Sequence, residues 1–327
     1  MVLNVMYFNK NNNFFHGIMF HHFHNDNIHT RSQGSISKDE FYKLINFVGR
    51  KNILNADVFF DKFKQNKLKE NEVCLTFDDG IKCQIDVALP VLEDLKVKSF
   101  FFVYTSIFEG KPDSVEIFRH FRMNFFDCVD DFYKNFYEVL NHDLTDFFSH
   151  HKNSILNKQK KYPVYTIEDI KFRLVRDIYL KKSDYENILF NMMKAKKFEY
   201  KKILSNLIFD KNDLILLNSL GHVIGLHSHS HPLSMQDLPY DKQKFEYQNS
   251  VDIISKTLKK PSSSFKTASH PLGNYNKNTL EILKELGIEL AFKDCMQIER
   301  EKGMKKINNS PLEIAREDHA EIIKRMN

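Results

Sequence analysis

Tryptophan is absent from the 327 residues, and cysteine (4), proline (8) and glycine (10) are all scarce. The four cysteines, Cys74, Cys83, Cys128 and Cys295, form no C-x-x-C pair or other close ligand spacing. Neither a thiolate metal centre nor a disulfide scaffold is indicated, and four reduced thiols are expected. No stretch approaches the ~20 apolar residues of a membrane span, and residues 1–13 lack a basic start followed by an apolar run. That pattern predicts a cytoplasmic location with no transmembrane segment. An excess of one charge is also missing: 48 basic residues face 43 acidic ones, and the net charge of +5 is spread along the chain. Nucleic acid binding is not implied. Lysine groups such as Lys158, Lys160 and Lys161, or Lys194, Lys196 and Lys197, read as solvated helix faces, with peripheral contact to phosphate or an anionic membrane as the alternative. Internal repeats and low-complexity tracts are lacking, and nothing in the sequence specifies an oligomeric state.

What the chain has is apolar and aromatic bulk: 42% hydrophobic residues and 30 phenylalanines. That is enough to bury a large core, so one elaborated domain over 1–327 is expected. Short apolar, β-prone runs alternate with helix-period segments. His16 to Phe23 reads as a strand, and Ser37 opens a helix, with Glu40 three residues later completing a capping box. Val73 to Phe77 is a strand that stops at Asp78-Asp79-Gly80; a helix over 84–95 and a strand over 99–104 complete a βαβ unit. From about 109 to 218 the pattern becomes charged, aromatic and helical, broken at Pro163, and is read as a helical insertion. Strand logic resumes at Gly221 to Leu226. A helix over 241–258, a strand over 265–268, a capped helix over 276–286, a strand over 288–292 and a last helix over 316–326 follow. The alternation predicts an α/β fold, a distorted (β/α) barrel of about seven parallel strands.

Two features carry chemistry. Adjacent carboxylates after a buried strand repel each other unless a cation neutralises them. One of Asp78 and Asp79 could then ligate an ion while the other acts as general base; a polar Asp-Asp-Gly turn is the plainer reading. His227 and His231 are four apart, a spacing that in a helical turn puts both rings on one face. Imidazole suits zinc and its neighbours. His229, between them, should point elsewhere, and Ser228 and Ser230 should tie down the loop.

Thr76-Phe77-Asp78-Asp79-Gly80 and the run Gly221 to Pro232 resemble two motifs of the polysaccharide deacetylases of carbohydrate esterase family four. The resemblance implies a distorted barrel and Asp78 as general base. It also implies a divalent metal, usually zinc, held by Asp79, His227 and His231, and an N-acetylated sugar as substrate. Ile18 to His21 looks like the first strand of many members, and the insertion is expected to stand outside the match.

Two family motifs are altered. Where an arginine usually orients the base, the chain has Ser269-His270-Pro271-Leu272-Gly273, so another group must do this work. The last motif usually supplies a histidine acid, and only Leu312 to His319 corresponds, in which Arg316 and Asp318 resemble the ending of some subfamilies. Candidates for the acid are His319, His21 and His270, with His319 ranked first. Gly80, Pro271, Leu272 and Arg316 are expected to touch substrate, as are Arg119 and Arg122, whose spacing could grip a phosphate. Helix packing is the competing reading of the two insertion arginines. The N-terminal histidines are expected to be surface or groove-lining groups rather than a second metal site. The predicted reaction is metal-assisted hydrolysis of an N-acetyl group on a small activated or lipid-linked amino sugar. Its rivals are hydrolysis of an N-formyl or cyclic amide, and a catalytically silent sugar-binding protein.

Overall fold

A computed structural model of the chain describes residues 17–25, 27–32, 34–69, 71–161, 165–295 and 310–326. His16 and Pro163, both named above, lie outside the described residues. The chain divides into two compact units. Among the described residues, one comprises those within 17–23, 36–113 and 208–326, and the other those within 24–35 and 114–207.

The first unit is a closed barrel of seven parallel strands in sequence order. They are β1 (Gly17–Phe20), β2 (Cys74–Asp78), β3 (Phe100–Val103), β4 (Val223–Leu226), β5 (Thr267–Ser269), β6 (Leu290–Cys295) and β7 (Ile314–Asp318). Six strands fall where the hydrophobic runs placed them. The seventh corrects the sequence reading, because residues 316–318 form the end of β7 and the last helix starts only at His319. β7 closes the barrel by pairing Arg316 with Gly17 and Asp318 with Met19.

Alternation along the strands sorts the side chains. Cys74, Phe100, Phe102, Leu290, Phe292 and Ile314 form one buried cluster with Ala56 and Phe59 of the helix Ala56–Lys64. The intervening positions form a second aromatic layer, in which Phe20 meets Phe77 at 5.2 Å and Phe77 stacks on Phe101 at 4.7 Å, with Phe41 of the helix Lys38–Val48 edge-on. That helix carries the expected capping box between Ser37 and Glu40. Gly225 on β4 has no room for a side chain, since a Cβ there would lie 2.5 Å from the Phe102 ring. Going up β2, the interior changes from Cys74 to Thr76 to Asp78, so polarity concentrates at the C-terminal rim, where parallel barrels hold their chemistry.

The second unit is helical, but its limits differ from the 109–218 expected. The helix Lys211–Ser219 clusters with the barrel, whereas residues 24–35, from the loop after β1, cluster with the helices. Thr30 donates to Asn124 Oδ1 at 2.6 Å inside this unit. Its core is aromatic: Phe121 stacks on Phe198 at 5.6 Å, and Phe172 lies edge-on to Phe132 and Phe136. The buried Asp169 carboxylate accepts from Tyr133 at 2.6 Å and from Arg173 at 2.7 Å.

Candidate active site

Asp78 ends β2 at 2% exposure, and a buried carboxylate needs a partner. Arg316 supplies it. From β7 its Nη1 and Nη2 reach the two Asp78 oxygens at 2.8 and 2.7 Å, a bidentate pair. Ser269 at the end of β5 joins them, accepting from Arg316 at 2.7 Å and donating to Asp78 Oδ2 at 3.0 Å. Thr76 accepts from Arg316 as well, and the guanidinium lies 5.8 Å from the Phe292 ring centre. Burial opposes the charge on Asp78, yet Arg316 and the nearby His227 hold its carboxyl below its ordinary pKa. Arg316 was expected to touch substrate. It is instead fully buried with its guanidinium bonded to Asp78.

Asp79, His227 and His231 converge. Asp79 Oδ1 is 3.1 Å from His227 Nε2 and 3.4 Å from His231 Nε2, and one ligand atom from each residue lies within 4.8 Å of the others. No other histidine, cysteine or carboxylate group among the described residues assembles this way. The backs of both rings are fixed: His227 Nδ1 faces the Ser269 carbonyl at 2.9 Å, and His231 Nδ1 faces Asp113 Oδ2 at 3.3 Å. A carbonyl only accepts, so His227 keeps its proton on Nδ1, and the carboxylate favours the same for His231. Both Nε2 lone pairs then point at a buried Asp79 oxygen that has no hydrogen-bond partner. Three electron-rich atoms aimed at one point repel unless a cation lies among them, so the donor set, its tautomers and its orphaned oxygen fit a divalent ion. Without a cation the alternative is to protonate the rings, and charged His227, His21 and His231 would carry the Asp79 pKa far below the ordinary range against the opposing effect of burial.

Helical spacing does not bring the histidines together, as the sequence had suggested. Residues 227–231 are a loop in which Ser228 and His231 take left-handed φ values of 66° and 53°. Glu246, on the helix Tyr240–Leu258, latches this loop by accepting from the backbone N–H groups of His229 and Ser230 at 2.9 and 2.7 Å and from Ser230 Oγ at 2.7 Å. The Ser228 hydroxyl accepts from His231 N–H at 3.2 Å. His229 turns away, with its Nδ1 2.9 Å from Thr105 Oγ1.

The three acid candidates part company. His21 Nε2 lies 3.8 Å from Asp79 Oδ2 with 28% of its side chain exposed. His319, ranked first from sequence, is buried, with Nδ1 3.1 Å from the Met19 carbonyl and its ring stacked on Phe20. His270 is buried too, donating from Nε2 to the Leu312 carbonyl at 2.8 Å and stacking on Tyr275. Burial lowers the His270 pKa to about 4, with Arg316 also disfavouring the charged ring, so it is neutral near pH 7. Its ring is engaged by the Leu312 carbonyl and by the Tyr275 stack.

A stability consequence follows from that ring. An unfolded histidine protonates near 6.5 and the folded His270 only near 4, so between these values the unfolded chain binds the extra proton. The contribution is complete above pH 6.5 and is lost as pH falls towards 4, by roughly 3 kcal/mol at most. In urea unfolding of metal-free protein, His270→Gln should flatten the fall in stability across this window. An unchanged slope would show that His270 does not titrate as described.

Of the expected substrate contacts, Gly80 has φ 67°, and a Cβ there would lie 3.2 Å from Ile107 and Val103, so its requirement is conformational. Pro271 is buried, whereas Leu272 stands 54% exposed on the turn after β5. Arg119 and Arg122 do not form a shared fork. Arg119 bonds Glu116 and Ser32, while Arg122 lies 4.0 Å from Asp169 and over the Phe172 ring, so packing within the helical unit won. Sequence reading missed Ser269, Glu246, Asp113 and Gln84, whose amide donates to the carbonyls of both Asp78 and His21 at 2.7 and 3.0 Å. Only Ser269 carried a signal, its place at the start of the altered third motif.

A family model described as polysaccharide deacetylase matches residues 65–121 and 158–291, more than half of the chain. The match enters both ends of the helical segment, which had been expected to stand outside it, and omits 122–157. Comparison with curated proteins gives no match. Among solved structures, the Streptococcus pyogenes deacetylase PplD in complex with acetate is 16% identical, with a TM-score of 0.53 over 92% of this chain and 90% of that one. IcaB from Ammonifex degensii is 12% identical, with a TM-score of 0.51 over 93% and 89%. At these identities the likeness is one of fold.

Proposed function

Because this chain belongs to the polysaccharide deacetylase family, we propose that it hydrolyses the N-acetyl group of an amino sugar in a metal-dependent reaction, releasing acetate and a free amine. The observation that carries this reading is the convergence of Asp79, His227 and His231 close after an arginine-held Asp78. Asp79, His227 and His231 would hold a divalent cation, most simply zinc, which would supply Lewis acidity for an acyl carbonyl and for water.

The protein's own groups do the rest. Asp78, kept ionised by Arg316, accepts the proton of the attacking water. His21 donates a proton to the departing sugar nitrogen, a role supported by its exposure and its place beside Asp79, while the other two histidines are buried against carbonyls. Leu272 offers an apolar contact at the rim. The substrate is proposed to be small, an activated or lipid-linked N-acetyl sugar on the way to a surface glycan. No helix among the described residues is long and apolar enough to cross a membrane.

The test is acetate release from N-acetyl sugar nucleotides, lipid-linked sugars and long polymer by the purified chain, with zinc restored after chelation. Turnover on small sugars, lost on chelation, is expected; turnover confined to insoluble polymer would overturn the proposed substrate size, and formate as the product would overturn the acyl assignment. In the same assay His21→Gln should lower kcat about 100-fold with bound zinc unchanged. Undiminished kcat would remove His21 from the reaction.

A further inference from the structure

The chain leaves the barrel unit after Asp113 and re-enters it at Ile208, and both crossing points are bonded to the turns that carry the candidate ligands. On the outgoing side the Asp113 carboxylate, 6% exposed, lies 3.3 Å from His231 Nδ1. Its position is fixed from a second direction. The Asp113 N–H donates to the Tyr104 hydroxyl at 3.1 Å, and the Tyr104 ring packs against the His231 ring at 5.5 Å. On the returning side, Phe209 N–H donates to the Gly80 carbonyl at 2.8 Å, one residue beyond Asp79, and Ile208 bridges to Ile81.

We propose that Asp113 is a positioning residue for the metal ligand His231, and that the returning segment at Ile208 and Phe209 does the same for the turn that bears Asp79. The inference rests on the metal reading above. A carboxylate behind an imidazole fixes the tautomer, aims the opposite nitrogen and makes it a better donor; removing such a partner typically weakens metal binding 10–100-fold. The Gly80 carbonyl bond fixes where the preceding residue, left-handed at φ 76°, directs its side chain. Cation binding therefore draws on hydrogen bonds at both ends of the inserted segment, and stabilises them in return.

A purely structural role for Asp113 is the rival, because it immediately precedes the helix Ser114–Asn124, where aspartate is a favoured cap. Asp113→Ser keeps a capping oxygen and removes the carboxylate; Asp113→Asn keeps an oxygen that accepts a hydrogen bond but loses the charge. Zinc affinity of the full chain, measured by competition with a chromophoric chelator, should fall about 10–100-fold in the serine variant. The asparagine variant should lie between it and the parent, and the metal-free melting temperatures should stay close. Hydrogen exchange of the Phe209 amide should slow on zinc addition to the parent. A serine variant that binds zinc as tightly as the parent, or that only melts earlier, overturns the role of Asp113; Phe209 exchange indifferent to zinc overturns the role of the returning segment. A parent with no zinc affinity sinks the metal reading itself, a result distinct from either.

Discussion

Asp78→Asn is expected to lower turnover about 1,000-fold while leaving bound zinc at the parent level. The two adjacent aspartates have separate surroundings, which makes their substitutions separable. Asp79 turns left-handed out of β2 into the space between His227 and His231, and its Oδ1 faces both Nε2 atoms. Asp78 stays in the strand, with both oxygens engaged by Arg316 and one by Ser269. An amide at position 78 keeps the shape but cannot take a proton from water. His231→Ala should behave differently, losing zinc and turnover together, because it removes one of three donors. Kinetics with acetate detection, paired with metal analysis of the same samples, separates the cases. Equal zinc loss in the two variants would reverse the assignment and make Asp78 a ligand.

Both motif aspartates and both histidines were legible because they stand in two runs that resemble family motifs, and because each run follows an apolar stretch that reads as a buried strand. Strand ends in a parallel barrel share one rim, so residues 150 positions apart could be placed together. The reason the histidines meet was not legible. Their spacing suggests a helical turn, whereas the loop is held by left-handed residues and by Glu246, a surface-type residue on a helix with nothing in its local sequence to mark it. Buried latches of this kind are tertiary facts, decided by which helix packs behind which loop.

The larger miss was β7. Ile314-Ala315-Arg316-Glu317-Asp318 is short and charged, flows directly into the helix His319–Met326, and so reads as that helix's first turn. A period-2 reading puts Leu312, Ile314 and Arg316 on one side, but three positions are too few to outweigh two acids and an arginine. Placing Arg316 at the start of a helix, as a residue that touches substrate, left Asp78 without its partner. The group that takes the place of the third motif's arginine therefore lay in the one strand whose position was misread.

Arg316→Met should cost about 3–5 kcal/mol of stability, more than any surface substitution in this chain. It leaves the Asp78 carboxylate, 2% exposed, with only the Ser269 hydroxyl bonded to its side chain. Asp78→Asn strands a guanidinium at 0% exposure in the same way. The double variant Asp78→Asn/Arg316→Met removes both charges and lets methionine pack against Phe292, so it should be more stable than the sum of the single losses predicts, by more than about 1 kcal/mol. Arg316→Lys keeps the charge but not the planar fork that bonds both carboxylate oxygens, and should fall between parent and Arg316→Met in stability and turnover. Urea unfolding of the four proteins of the cycle decides the matter. Additive losses would mean that Asp78 and Arg316 do not act as a unit, and the account of how this barrel holds a buried carboxylate would have to be abandoned.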